Sequence, residues 1–109
     1  MKTFFHIQPG LVAVYGRIQE NVVHRHNAIQ LVWPESAASL TVDGTQCVAA
    51  AVIASRIPHQ LTMDRGWVLL IEPHSALGHA LTARLTGTPY VVLDEVALYQ
   101  ARFQCQMKR

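Results

Sequence analysis

VVHRHNAIQLVW, residues 22–33, is the stretch on which the fold turns. It is rich in β-branched and apolar residues, and Pro34 closes it because proline cannot donate to a sheet ladder. Side chains of a strand alternate between faces, so His24, His26, Ala28, Gln30 and Val32 are expected on one side. Val23, Asn27, Ile29, Leu31 and Trp33 then share the other. One face carries a polar line of two imidazoles and an amide, and the opposite face is mostly apolar.

Outward from this segment, the chain up to Pro73 reads as strands. Residues 11–19 (LVAVYGRIQ) precede it and residues 39–43 follow. Asp43-Gly44 supplies the positive-φ pair that a two-residue hairpin demands, and residues 47–54 return from it. Residues 59–63 form another strand, Asp64-Arg65-Gly66 reads as a turn, and residues 67–72 (WVLLIE) form a buried strand. Six or seven short, closely spaced strands favour a sandwich or barrel.

After Pro73 the period changes. Ser75 is placed to cap a helix in which Leu77, Leu81 and Leu85 recur on one face, and Gly87 and Pro89 end it. A second helix is expected from about Pro89 or Val92 to the end, with Val92, Val96, Tyr99, Phe103 and Met107 spaced as a helical stripe. Leu98, Ala101 and Cys105 widen that stripe beyond what one contact would need. Residues Val96, Tyr99, Phe103 and Met107 are therefore expected to form a homodimer interface, which Phe103→Asp would disrupt.

The 109 residues suit one domain, with about 1–73 as strands and about 74–109 as a helical tail. Half the residues are apolar and 15% are charged, a composition that folds. No apolar run approaches the roughly 20 residues of a membrane span, and polar residues interrupt any signal-peptide core near the start. A cytoplasmic, whole natural chain is the expectation, with Cys47 and Cys105 as reduced, buried small side chains. A net charge of +2 with scattered arginines makes no basic stripe, so direct nucleic-acid binding is not expected.

The histidines carry the chemistry. Two imidazoles at i and i+2 can chelate one ion, and His59, after Pro58, could bring a third. The alternative is that these side chains line a pocket and satisfy one another, Gln30 and solvent. His6, His74 and His79 have no assigned role.

HRHNAIQLVW (24–33), RIPHQL (56–61) and LLIEPHSALGHAL (69–81) together resemble the amino-terminal cupin domain of AraC-type transcription regulators. The resemblance spans roughly residues 22–85. It implies a cupin-like jelly-roll barrel followed by two C-terminal helices, with the barrel holding a small effector and the helices dimerising. The helix-turn-helix domain that follows in such regulators is absent from these residues. The resemblance implies a small-molecule pocket of His24, His26, Gln30, His59, Trp33 and Trp67, with walls from Val32, Val52, Leu61 and Leu70. Pairing with a regulator that carries a DNA-binding domain is a further reading.

Metal-dependent cupin enzymes are similar but more distant. Their first motif places a glutamate where Gln30 stands, and the second has glycine and asparagine where Arg56 and Met63 stand. A three-histidine enzyme using His24, His26 and His59, with a divalent transition metal as cofactor, is the alternative function. The amide at Gln30 and the missing glycines predict weak or absent metal occupancy in the isolated protein. No general base is evident, since the carboxylates fall mostly at turns and element ends.

Overall fold

The computed structural model describes residues 3–47 and 50–93. Eight strands and one helix occur among them: β1 (Phe4–Gln8), β2 (Leu11–Gln19), β3 (Ile29–Pro34), β4 (Ala38–Val42), β5 (Thr45–Cys47), β6 (Ala51–Ile53), β7 (His59–Ile71), α1 (Ala76–Leu85) and β8 (Tyr90–Val92). All pairings between strands are antiparallel. The order is β1-β2-β7-β3-β6-β8, with β4 attached to β7 and β5 to β4. Among the described residues the sheet branches at β7, which pairs with β2, β3 and β4. No helix among them is long and apolar enough to cross a membrane.

The hairpin at Asp43-Gly44 forms as its dipeptide demands. Both residues have positive φ, 49° and 81°, and Val42 pairs with Thr45 across the turn. Ser75 caps α1: its Oγ accepts from Gly78 N at 3.0 Å and donates to Glu72 O at 2.7 Å. Leu81 and Leu85 are the helix's buried leucines, and Thr86 ends it in the left-handed region.

Apolar side chains fill both faces of the sheet. Leu11, Ala13, Ile29, Leu31, Val52, Leu69 and Ile71 pack with Leu81 and Leu85 of α1. Val32, Leu40, Val42, Ala51, Ile53, Leu61, Met63 and Val68 form the cluster on the other face. Burying a side chain of this size contributes roughly 1.5–3 kcal/mol, so either cluster outweighs any single hydrogen bond.

Asp64-Arg65-Gly66 does not turn. It lies inside β7, thirteen residues long, and Glu35 N donates to Arg65 O at 2.8 Å while Asp64 N donates to Ala37 O at 3.1 Å. The register against β2 slips here, from Gly16 opposite Gly66 to Ile18 opposite Met63. Asp64 and Arg65 thus face Arg17 alone, as in a β-bulge. The extra residue exchanges odd for even positions. Leu61 and Met63 before it share one core cluster with Val68 after it, whereas unbroken alternation would put them on opposite faces.

Two further expectations are corrected. Tyr90–Val92 is a strand paired with β6, not the start of a helix, so the two-helix tail gives way to one helix among the described residues. β3 begins only at Ile29, and the residues before it are not a strand. The proposed helix to the C terminus, with Cys105 and the stripe Val96, Tyr99, Phe103 and Met107, lies outside the described residues.

Candidate metal centre

Between β2 and β3 the chain leaves the sheet, and a single rung brings it back. His24 N donates to His59 O at 3.0 Å, and His59 N donates to His24 O at 2.8 Å. Arg56 N donates to His26 O at 2.7 Å. The HRH segment is therefore strapped along residues 56–59, at the head of β7.

The strap gathers three imidazoles. Ring centroids lie 4.6 Å apart for His24 and His59, 4.8 Å for His26 and His59, and 5.5 Å for His24 and His26. One ring nitrogen from each falls within 4.8 Å of the other two. His24 and His26 are half-buried, and His59 is 2% exposed.

His59 has one ring nitrogen engaged, His26 has both within reach of protein oxygens, and His24 Nε2 has no hydrogen-bond partner among the described residues. His59 Nδ1 donates to Ile57 O at 2.8 Å, which fixes the tautomer and leaves Nε2 as a lone-pair nitrogen. That Nε2 is buried and has no hydrogen-bond partner in the protein. His26 Nδ1 is 3.0 Å from Ala28 O, and its Nε2 is 2.9 Å from the side-chain oxygen of Gln30. A second acceptor at that nitrogen requires either a doubly protonated ring or a rotated Gln30 amide, with N–H donating to His26. His24 Nε2 lies 3.0 Å from Glu20 Oε2 but outside hydrogen-bond alignment.

Burial pushes the His59 pKa below the ordinary imidazole value. The bond to Ile57 O opposes this, positive charge on His26 or His24 lowers it further, and Glu20 raises it. A neutral, tautomer-fixed imidazole with a buried free Nε2 is the form a metal ligand takes. The residues present thus fit a divalent transition-metal ion.

Of the pocket residues expected from sequence, His24, His26, Gln30 and His59 come together. Gln30, on β3, is 2% exposed and contacts His26. Trp33 and Trp67 do not join them. They are register partners packed against the α1-side cluster, on the face opposite Val32 and Val68. Val52 packs on that α1 side too, while Leu61 and Leu70 belong with Val32. A separate cleft of about 300 Å3 lies between residues 54–57 and the end of α1, lined by Ala54, Ile57, Thr82, Leu85 and Thr88 among others.

Glu20 escaped the sequence reading. It stands just past β2, and a spacing of four from His24 signals proximity only on a helix, which this is not. No known protein family matches the chain, and neither the curated proteins nor the solved structures provide a match.

Proposed function

We propose that this domain is a cupin-like module that holds one divalent transition-metal ion on His24, His26 and His59 and binds a small ligand through it. The observation that carries this reading is the convergence of three ring nitrogens within 4.8 Å, with His59 Nε2 buried and unpartnered among them. A buried polar atom without a partner costs about 1–3 kcal/mol, and a ligating ion would remove that cost. When bound, such an ion supplies Lewis acidity to an oxygen or nitrogen donor of the ligand. His24 and His26 are half-buried as residues, although Nε2 of His24 is itself covered, and the buried Gln30 places an amide beside His26.

The test is titration of the chelator-treated full chain with Zn2+, Co2+, Ni2+ and Fe2+, with elemental analysis after dialysis. One equivalent of tightly held ion, lost in a His24/His26/His59 triple alanine variant that still folds, is the expected result. Failure of every ion to bind would overturn the reading. An effector-binding and dimerising role like that of AraC-type regulators rests on the resemblance of residues 24–33, 56–61 and 69–81. Mass spectrometry of a co-purified ligand and sedimentation of the intact chain test that role.

A further inference from the structure

We infer that Glu20 is the fourth ligand of the centre, supplying through Oε2 the carboxylate that Gln30 does not, and that it selects a divalent ion over monovalent copper. The inference rests on the three-histidine reading above.

The backbone is arranged to deliver this carboxylate. Past the pair Gln19–Thr62, a regular antiparallel ladder would have Glu20 and Leu61 exchange both main-chain bonds. Only one is made: Glu20 N donates to Leu61 O at 2.9 Å. Leu61 N donates instead to Glu20 Oε1 at 2.7 Å, and the displaced carbonyl of Glu20 accepts from Gln60 Nε2 at 3.1 Å. The side chain has entered the ladder in place of its own carbonyl. One oxygen is fixed to the strand that begins with His59, and Oε2 is turned to His24.

The contact with His24 is not an ordinary ion pair. Oε2 lies 3.0 Å from Nε2 but off the line along which that nitrogen donates or accepts. Two atoms ligating one ion at about 2.0–2.2 Å stand roughly 3.0–3.5 Å apart, with their lone pairs aimed at the ion and not at each other. The Glu20–His24 geometry has that character. The buried, unpartnered Nε2 of His59 gives an independent sign of a ligand at the three-histidine group, which Glu20 borders through His24. A carboxylate also lowers the charge of the loaded centre by one, and its hard oxygen suits divalent ions better than Cu+.

Glu20→Gln is the informative variant, because its amide oxygen can still accept from Leu61 N–H. The probes are Co2+, whose visible spectrum reports donor atoms and coordination number, and Cu+ with a competing chelator. Expected for Glu20→Gln is a loss of Co2+ affinity of at least about 10-fold, an altered Co2+ spectrum and a smaller loss for Cu+. Unchanged Co2+ affinity and spectrum would overturn the inference. So would equal losses for both ions with an unchanged Co2+ spectrum, which would make Glu20 only a support for His24. If Glu20→Gln does not fold, Glu20→Asp, which withdraws the carboxylate by one methylene, is read by the same criteria. An unmutated chain that binds neither ion would sink the three-histidine reading itself, whereas the other negative results leave that reading standing.

Discussion

His24 and His59 are opposed residues of a one-rung antiparallel bridge, each donating its main-chain N–H to the other's carbonyl. Opposed residues of such a pair present their side chains on the same side. Two of the three imidazoles are thus held together by backbone, at 4.6 Å between centroids, before any side-chain interaction is counted.

That preorganisation separates binding from folding at His26. His26→Ala removes one imidazole from a half-buried position outside the regular strands. Loss of an outer-shell partner costs roughly 10–100-fold in metal affinity, and loss of a ligand should exceed that. Competition against a chromophoric chelator should show a fall of more than about 100-fold, with the urea midpoint nearly unchanged. Unaltered affinity would remove His26 from the centre.

The buried His59 sets a pH dependence for the metal-free chain. Its folded pKa lies below the unfolded value of about 6.5, so between the two the unfolded chain binds more protons. Stability contributed by the neutral ring is present above about pH 6.5 and is lost as pH falls below it. Urea unfolding in chelator at pH 7.5, 6.5 and 5.5 should give declining midpoints, and His59→Asn should flatten the decline. Midpoints that hold steady or rise on acidification would contradict this.

At Gly78 two effects oppose each other. Alanine in a helix gains up to about 1 kcal/mol over glycine. A Cβ here would stand 2.2 Å from Glu72 O and 2.6 Å from Pro73 O, both backbone atoms that cannot swing away. Overpacking costs typically 1–3 kcal/mol, so the clash wins. Gly78→Ala should lower stability by about 1 kcal/mol or more in chemical denaturation, and a stabilised variant would show that α1 shifts freely.

Gln30 should prove costly to the fold. It is almost fully buried, and its side-chain nitrogen has no hydrogen-bond partner in the protein. Gln30→Leu keeps the volume and removes that penalty, and half-buried His26 can turn to water. A gain of about 1 kcal/mol in the metal-free chain is expected. A destabilised variant would mean that the amide contributes more to the fold than its contacts suggest.

Sequence made the local elements legible where one residue type decides the conformation, as at Asp43-Gly44 and Ser75. It was misleading where a partner strand decides. Asp64-Arg65-Gly66 has the composition of a turn, yet pairing with β2, β3 and β4 on either side draws it into β7 as a bulge. Tyr90–Val92 begins a helical spacing that continues down the sequence, yet these three β-favouring residues pair with β6. The grouping of His24, His26, Gln30 and His59 was legible, but strand parity was not its cause, since the backbone is irregular until Ile29. Glu20 was not legible, because only the interrupted ladder with Leu61 brings it to His24.

The bridge between His24 and His59 also ties the centre to the order of folding. These residues are 35 positions apart in the chain, and β3 to β6 lie between them. An unfolded chain offers only the His24–His26 pair in one place, and closing a loop of that length costs entropy that sheet pairing must first offset. A high-affinity centre therefore cannot exist on a partly folded chain. Ion capture would follow closure of the sheet, and a bound ion would slow its opening rather than speed its formation.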